Sequence, residues 1–135
     1  MDESAIEAQR VDPSARLYAL PRHFGMGLML PVERAVYDVF NALVPEHKVG
    51  YWHFYELSNG GFYMAPAGEC LRVCVPETDF DEVLSADAAG IVACLFAYGR
   101  MSSEHASEML AEHYYWLRDF ALGHPEGGKI LSAID

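Results

Sequence analysis

Apolar and polar positions change their spacing several times along this chain, and each change marks an element. From Pro31 to about Leu43 the apolar residues Val32, Ala35, Val36, Val39, Phe40 and Leu43 recur at helical spacing, with Pro31 at the first position and Pro45 past the end. Trp52 to Ala65 differs: aromatic-rich runs flank Asn59-Gly60, a dipeptide that tolerates the positive φ angles of a type I′ hairpin turn. A two-residue turn there pairs Leu57 with Phe62, Glu56 with Tyr63 and Tyr55 with Met64. His53, Tyr55, Leu57, Phe62 and Met64 then share one face, and Trp52, Phe54, Glu56, Tyr63 and Ala65 the other. Neither face is polar, so either helices cover both or one is an aromatic surface kept for a partner.

A further strand, about Leu71 to Val75, alternates Leu71, Val73 and Val75 with Arg72 and Cys74, and Pro76 closes it. The acidic residues Glu77, Asp79, Asp81 and Glu82 are placed in the loop beyond. Ser85 is an N-cap for a buried helix from Ala86 to Tyr98, ending at Gly99. Another helix begins near Ser102 or Ser103 and runs to Leu122, with Glu104, Glu108 and Glu112 as a solvated stripe. His124-Pro125 opens a short last helix with an apolar edge of Ile130, Leu131 and Ile134. The fold class is α+β: a single compact domain in which a small antiparallel sheet, the hairpin plus at least one further strand, packs with about four helices. Residues 1–19 read as an acidic flexible leader and residues 20–135 as the domain.

At 135 residues the chain buries about two-thirds of its unfolded surface. With 20 Asp and Glu against 9 Lys and Arg, its net charge is −11, which excludes a basic footprint for the nucleic-acid backbone. The acidity fits plain solubility or mimicry of DNA phosphates for a DNA-handling enzyme. A mimic needs rows of carboxylates, and here the acids are scattered apart from the patch at Glu77–Glu82. The start, Met1-Asp2-Glu3-Ser4, lacks the apolar segment of a signal peptide, and no run is long enough to span a bilayer, so a cytoplasmic location is expected. Cys70, Cys74 and Cys94, odd in number and without a second ligand pair, read as reduced, buried small residues rather than a disulfide or zinc site.

Catalytic signatures are missing: no GxSxG, HExxH, Walker A loop or dinucleotide fingerprint occurs. His53 and Glu56 lie on opposite faces of their strand, and His105 and His113 are too far apart on a helix to share a metal. The expectation is a non-enzyme without cofactor or metal; a hydrolase assembled from distant residues ranks third, behind a DNA mimic. Interaction candidates are the aromatic and turn residues Trp52, Tyr55, Asn59 and Tyr63, together with Asp135, whose side chain and terminus set two carboxylates side by side.

The string Trp52-His53-Phe54-Tyr55-Glu56-Leu57-Ser58-Asn59-Gly60-Gly61-Phe62-Tyr63-Met64-Ala65-Pro66 resembles the central signature of the KlcA/ArdB antirestriction family. Leu20-Pro21-Arg22-His23-Phe24-Gly25 is similar to its N-terminal element, and Leu84-Ser85-Ala86-Asp87-Ala88-Ala89-Gly90-Ile91-Val92 to its buried helix. Arg118-Asp119-Phe120-Ala121-Leu122, His124-Pro125-Glu126 and Ser132-Ala133-Ile134-Asp135 are similar to its C-terminal end. The resemblance implies a protein of plasmids or other mobile elements that inhibits the host's type I restriction-modification machinery, directly or through another host protein. It implies a compact α+β fold with no cofactor and no catalytic residues, and not the elongated fold of the DNA mimics.

Overall fold

A computed structural model of the chain describes residues 5–45 and 50–135. In order, the elements are β1 (Ala8–Arg10), α1 (Arg16–Leu43), β2 (Trp52–Leu57), β3 (Phe62–Pro66), β4 (Cys70–Val75), β5 (Phe80–Ser85), α2 (Ala86–His105), α3 (Glu108–Leu122) and α4 (Gly127–Ile134). The strands form an antiparallel sheet ordered β1-β2-β3 and a separate β4-β5 hairpin. Sheets and helices pack on one continuous core, an α+β domain as the pattern predicts.

The helix ending at Leu43 starts earlier than Pro31. It runs from Arg16 and is broken at Gly25, whose φ of 76° only glycine adopts without strain. Both arms turn an apolar edge inward: Ala19, Leu20 and Phe24 from the first, Val32, Val36, Val39, Phe40 and Leu43 from the second. Of the stretch read as a flexible leader, residues 1–4 lie outside the described residues, and the part from Ala8 on is built into the fold. Ala8–Arg10 pairs with β2, and Val11 and Ala19 are buried.

The aromatic hairpin forms, one residue out of the expected register. Tyr55 faces Tyr63, Phe54 faces Met64 and Glu56 faces Phe62. The cause is the turn. Gly60 N–H donates to Leu57 C=O at 3.0 Å, and Gly60, not Asn59, takes the positive φ, 103°. The connection is therefore a longer loop with glycine in the left-handed position, not a two-residue type I′ turn. The slip exchanges face partners: Trp52, Phe54, Glu56, Phe62 and Met64 now share one face, His53, Tyr55, Leu57, Tyr63 and Ala65 the other. α1 covers the first face, with Trp52 edge-on to Tyr37 and Phe40, and Phe24 edge-on to Phe62.

β3 is an edge strand, and α2 closes that edge. The Tyr98 hydroxyl donates to Phe62 C=O at 2.7 Å, and the Cys94 thiol lies 3.5 Å from both N–H and C=O of Met64. Pro66, with no N–H, needs no partner there. Gly90 makes the approach possible: a Cβ on it would stand 2.5 Å from Cβ of Ala65 and 2.6 Å from its Cα. α2 is buried on nearly all sides and is capped as expected by Ser85, whose hydroxyl accepts from Ala88 N–H at 3.0 Å. It passes Gly99 and ends at Ala106, where φ is 47°. α3 starts at Glu108 under a Ser107 cap, so the stripe Glu104, Glu108 and Glu112 divides between two exposed helix ends.

The acidic patch is only half in a loop. Glu77 and Asp79 form the turn of the β4-β5 hairpin, and Asp81 and Glu82 lie in β5. Carboxylates weaken strand propensity, but Arg72 holds Asp81 through both oxygens, at 2.9 and 2.7 Å. The alternation predicted for β4 holds: Val73 and Val75 are buried, Cys70 and Arg72 exposed. Only Cys94 is fully buried; Cys70 is exposed and Cys74 half-buried, and all three are free thiols.

Candidate functional site

The five candidate residues occupy different environments. Trp52 is buried in the core between β2 and α1. Asn59 holds the hairpin tip onto α3: its Nδ2 donates to Trp116 C=O at 2.9 Å and its Oδ1 accepts from Gly61 N–H at 3.0 Å. Tyr63 is 1% exposed, and its ring stacks between Tyr55 at 4.7 Å and Phe120 at 5.7 Å. Tyr55 is the half-open member of that stack. Asp135 is fixed rather than frayed: Arg118 donates to both its oxygens, at 3.3 and 2.9 Å, while Ile130 and Ala133 anchor α4 in the core. Tyr55 and Tyr63 are thus brought together, and Trp52 and Asn59 are committed to packing and to the turn.

Around Tyr63 lies a polar network that the sequence reading missed. The Tyr63 hydroxyl donates to Asp87 Oδ1 at 2.7 Å, and His124 Nε2 lies 2.8 Å from Asp87 Oδ2. Glu126 N–H donates to His124 Nδ1 at 3.0 Å, which leaves the ring proton on Nε2, aimed at Asp87. Glu126 also accepts from Ser85 N–H at 2.9 Å and from the Ser85 hydroxyl, tying the α3-α4 loop to the start of α2. Burial opposes the charge on Asp87, but the bonds from His124 and Tyr63 outweigh it and hold its pKa below the usual range. Burial beside Asp87 drives the Tyr63 phenol far up, so it stays a hydrogen-bond donor.

A second acid–imidazole pair spans α1 and β2. Glu56 Oε2 lies 2.8 Å from His23 Nε2 and accepts from Arg22 Nε at 3.1 Å. Burial works against this carboxylate too, and Arg22 and His23 prevail, lowering its pKa. Beneath it, His113 Nε2 donates to His23 C=O at 3.2 Å, while its buried Nδ1 has no hydrogen-bond partner among the described residues. Phe24, Tyr98 and Trp116 surround that ring. The Asp87–His124 and Glu56–His23 partners are more than thirty positions apart in sequence, which is why spacing gave no signal.

For chemistry these pairs offer little. Both His124 nitrogens are occupied, and no Ser, Thr or Cys hydroxyl or thiol bonds to an imidazole among the described residues. No group of three or more His, Cys, Asp or Glu is placed to hold a metal among those residues.

A family model of antirestriction proteins matches residues 45–135. The chain is a member of the antirestriction family. Relatives agree along its whole length. An antirestriction protein KlcA of Escherichia coli is 44% identical, covering 98% of this chain and 97% of its own. The uncharacterized protein YfjX of E. coli K12 is 32% identical, covering 98% and 90%. A solved structure from work on KlcA and ArdB superposes with a TM-score of 0.90 at 45% identity, covering 100% of this chain and 99% of the other. Those proteins are described as having a novel fold, with antirestriction activity against type I DNA restriction systems in vivo but not in vitro.

On the surface of this antirestriction chain, the outer face of the hairpin is only partly covered. Tyr51, His53 and Tyr55 follow one another edge to face, at 5.2 and 6.3 Å between rings. Arg10 lies over Tyr55 and donates to its hydroxyl at 3.0 Å; Arg16 lies over Tyr51 and Phe54 and donates to Trp52 C=O at 2.6 Å. Burial, then Arg10 and Arg16, lower the pKa of His53. Helices cover only part of the sheet: α2 and α3 cover Tyr63 and Ala65, while Tyr51 is exposed and His53 and Tyr55 are half-buried.

Proposed function

We propose that this chain, carried by a plasmid or other mobile element, protects incoming DNA from the type I restriction-modification system of a bacterial host, by protein contact and without catalysis. The match to the KlcA and ArdB fold over essentially both whole chains carries this reading. Activity of those proteins in cells but not in vitro favours an effect that needs a further host component over direct capture of the restriction enzyme. The cytoplasm is where such a target is met, and no helix among the described residues is long and apolar enough to cross a membrane.

The carboxylate arrangement weighs against DNA mimicry. Glu56, Asp81, Glu82 and Asp135 each pair with an Arg or Lys, and Asp87 and Glu126 are engaged with His124 and Ser85. A phosphate-like row needs unneutralised charges about 1.7 Å apart along the axis. Asp135 is exposed, and Tyr55 and Asn59 are partly exposed; with the Asn59 amide engaged by Trp116 and Gly61, Asp135 and Tyr55 are the candidates able to meet a partner.

The deciding experiment is phage plating. Expression in a host with an active type I system raises the plating efficiency of unmodified phage and leaves modified phage unchanged. Full restriction at good soluble expression would remove the proposal. Protection reproduced with purified restriction enzyme, DNA and this protein alone would replace the indirect route by a direct one.

A further inference from the structure

The described basic residues do not all sit against acids: Arg34 in α1 and Arg100 in α2 show no carboxylate partner among the described residues, and the other six fall into two groups. Arg22, Arg72, Arg118 and Lys129 each sit against a carboxylate. Arg10 and Arg16 do not: they contact a tyrosine hydroxyl, a backbone carbonyl and aromatic faces. Arg10 lies over Tyr55 and Arg16 over Tyr51, the two ends of the Tyr51–His53–Tyr55 series, so two guanidinium charges without ion-pair partners among the described residues flank the aromatic strip. Asp87 acts on Arg10 electrostatically, but its oxygens are already engaged by Tyr63 and His124.

Beside the strip, β1 ends the sheet. Its inner groups pair with β2: Val11 N–H donates to Phe54 C=O at 2.8 Å, and Glu7 C=O accepts from Ser58 N–H at 2.9 Å. By strand alternation, Gln9 also points inward, and Ala8 and Arg10 turn their N–H and C=O groups outward. No described strand lies beyond them, and all of Ala8–Arg10 is exposed. A depression of about 450 Å³ borders this edge, lined in part by Gln9, Arg10, Asp12 and Arg22.

We propose that the open edge of β1 and the adjoining aromatic strip form a docking surface for an extended, acidic segment of a partner protein, which adds to β1 as a further strand and sets carboxylates against Arg10 and Arg16. Unpaired main-chain groups select a polypeptide, because strand addition is a bond pattern only another backbone supplies. The two arginines select acidic side chains. A nucleic-acid backbone would carry its repeated charge past this local field onto a surface of net charge −11. A second copy would bring another −11 to the contact. The inference rests on the reading that the chain acts by protein contact.

The test uses Ala8→Pro, which removes an outward N–H without touching the β1-β2 ladder, and Arg10→Glu beside Arg10→Lys. Each variant is melted and scored for phage protection together with the unaltered protein. Each is also titrated with a short fluorescein-labelled peptide alternating Glu with Val and Thr, its Lys counterpart, and a single-stranded oligothymidine. Ala8→Pro and Arg10→Glu are expected to melt close to the unaltered protein, lose protection, and bind the Glu peptide about tenfold more weakly, the factor that about 1.4 kcal/mol represents. Arg10→Lys is expected to keep most of both. If Ala8→Pro does not fold, the Arg10 pair decides. Equal protection by all variants overturns the docking surface while leaving the protein-contact reading intact; no protection by the unaltered protein overturns that reading first. No Glu-peptide binding, equal binding of the Lys peptide, oligothymidine binding lost in Arg10→Glu, or a dimer lost in Ala8→Pro each overturns the proposal.

Discussion

His113 links stability to pH. Burial, reinforced by the neighbouring His23, pushes its pKa down from 6.5 to about 4. The folded state therefore holds it neutral, while the unfolded chain takes up a proton near 6.5. Its contribution is complete above that value and is lost as pH falls towards about 4, a difference on the order of 3 kcal/mol. Denaturant melts should weaken across this window, and His113→Asn should flatten the slope; an unchanged slope would remove the assignment. Asp87 and Glu56, held below the usual carboxylate range, lose their contributions at still lower pH. The two ends of the candidate set behave differently. Trp52→Ala empties a core site and is expected to cost about 3–5 kcal/mol. Asp135→Asn breaks a half-exposed pair worth about 0–1 kcal/mol, so its melt should barely move while phage protection falls. A folded Asp135→Asn protein with full protection would turn attention from the C-terminus to the hairpin.

Among the elements, the join between α2 and the edge of β3 is the decisive contact. Tyr98→Phe removes the hydroxyl that satisfies Phe62 C=O in the buried interior, an expected loss of about 1–3 kcal/mol in chemical denaturation. Gly90→Ala should cost at least as much, because its methyl would meet main chain as well as side chain. A neutral Gly90→Ala variant would mean that β3 and α2 separate more readily than their packing suggests. Sequence pattern made α2 legible through its Ser85 cap and apolar run, and made β4 legible through strict alternation. It read the hairpin as an element and mistook the register, because Asn-Gly advertises one turn while Gly60 adopts the positive φ of another. β5 was hidden by Asp81 and Glu82, whose strand position is sustained by Arg72 and Lys129 from outside the segment.

At the scale of the whole molecule, charge and connectivity set the behaviour. With net charge −11 and four basic residues bound to carboxylates, the chain is expected not to retard duplex DNA in gels even at low salt; tight, salt-sensitive retardation would overturn this. The sequence by itself determined the α+β class, the central buried helix, the β4 alternation, the acidity and the family, because periodicity, capping, net charge and motif strings are written locally. Only the tertiary structure decided the hairpin register, the pairing of β1 with β2 and of β5 with β4, the closure of the β3 edge, and which aromatics stay open. It alone brought His23 to Glu56 and His113, and His124 to Asp87. Those partners lie 33 to 90 positions apart, and a chain read along its length carries no local signal for contacts that exist only once its core has closed.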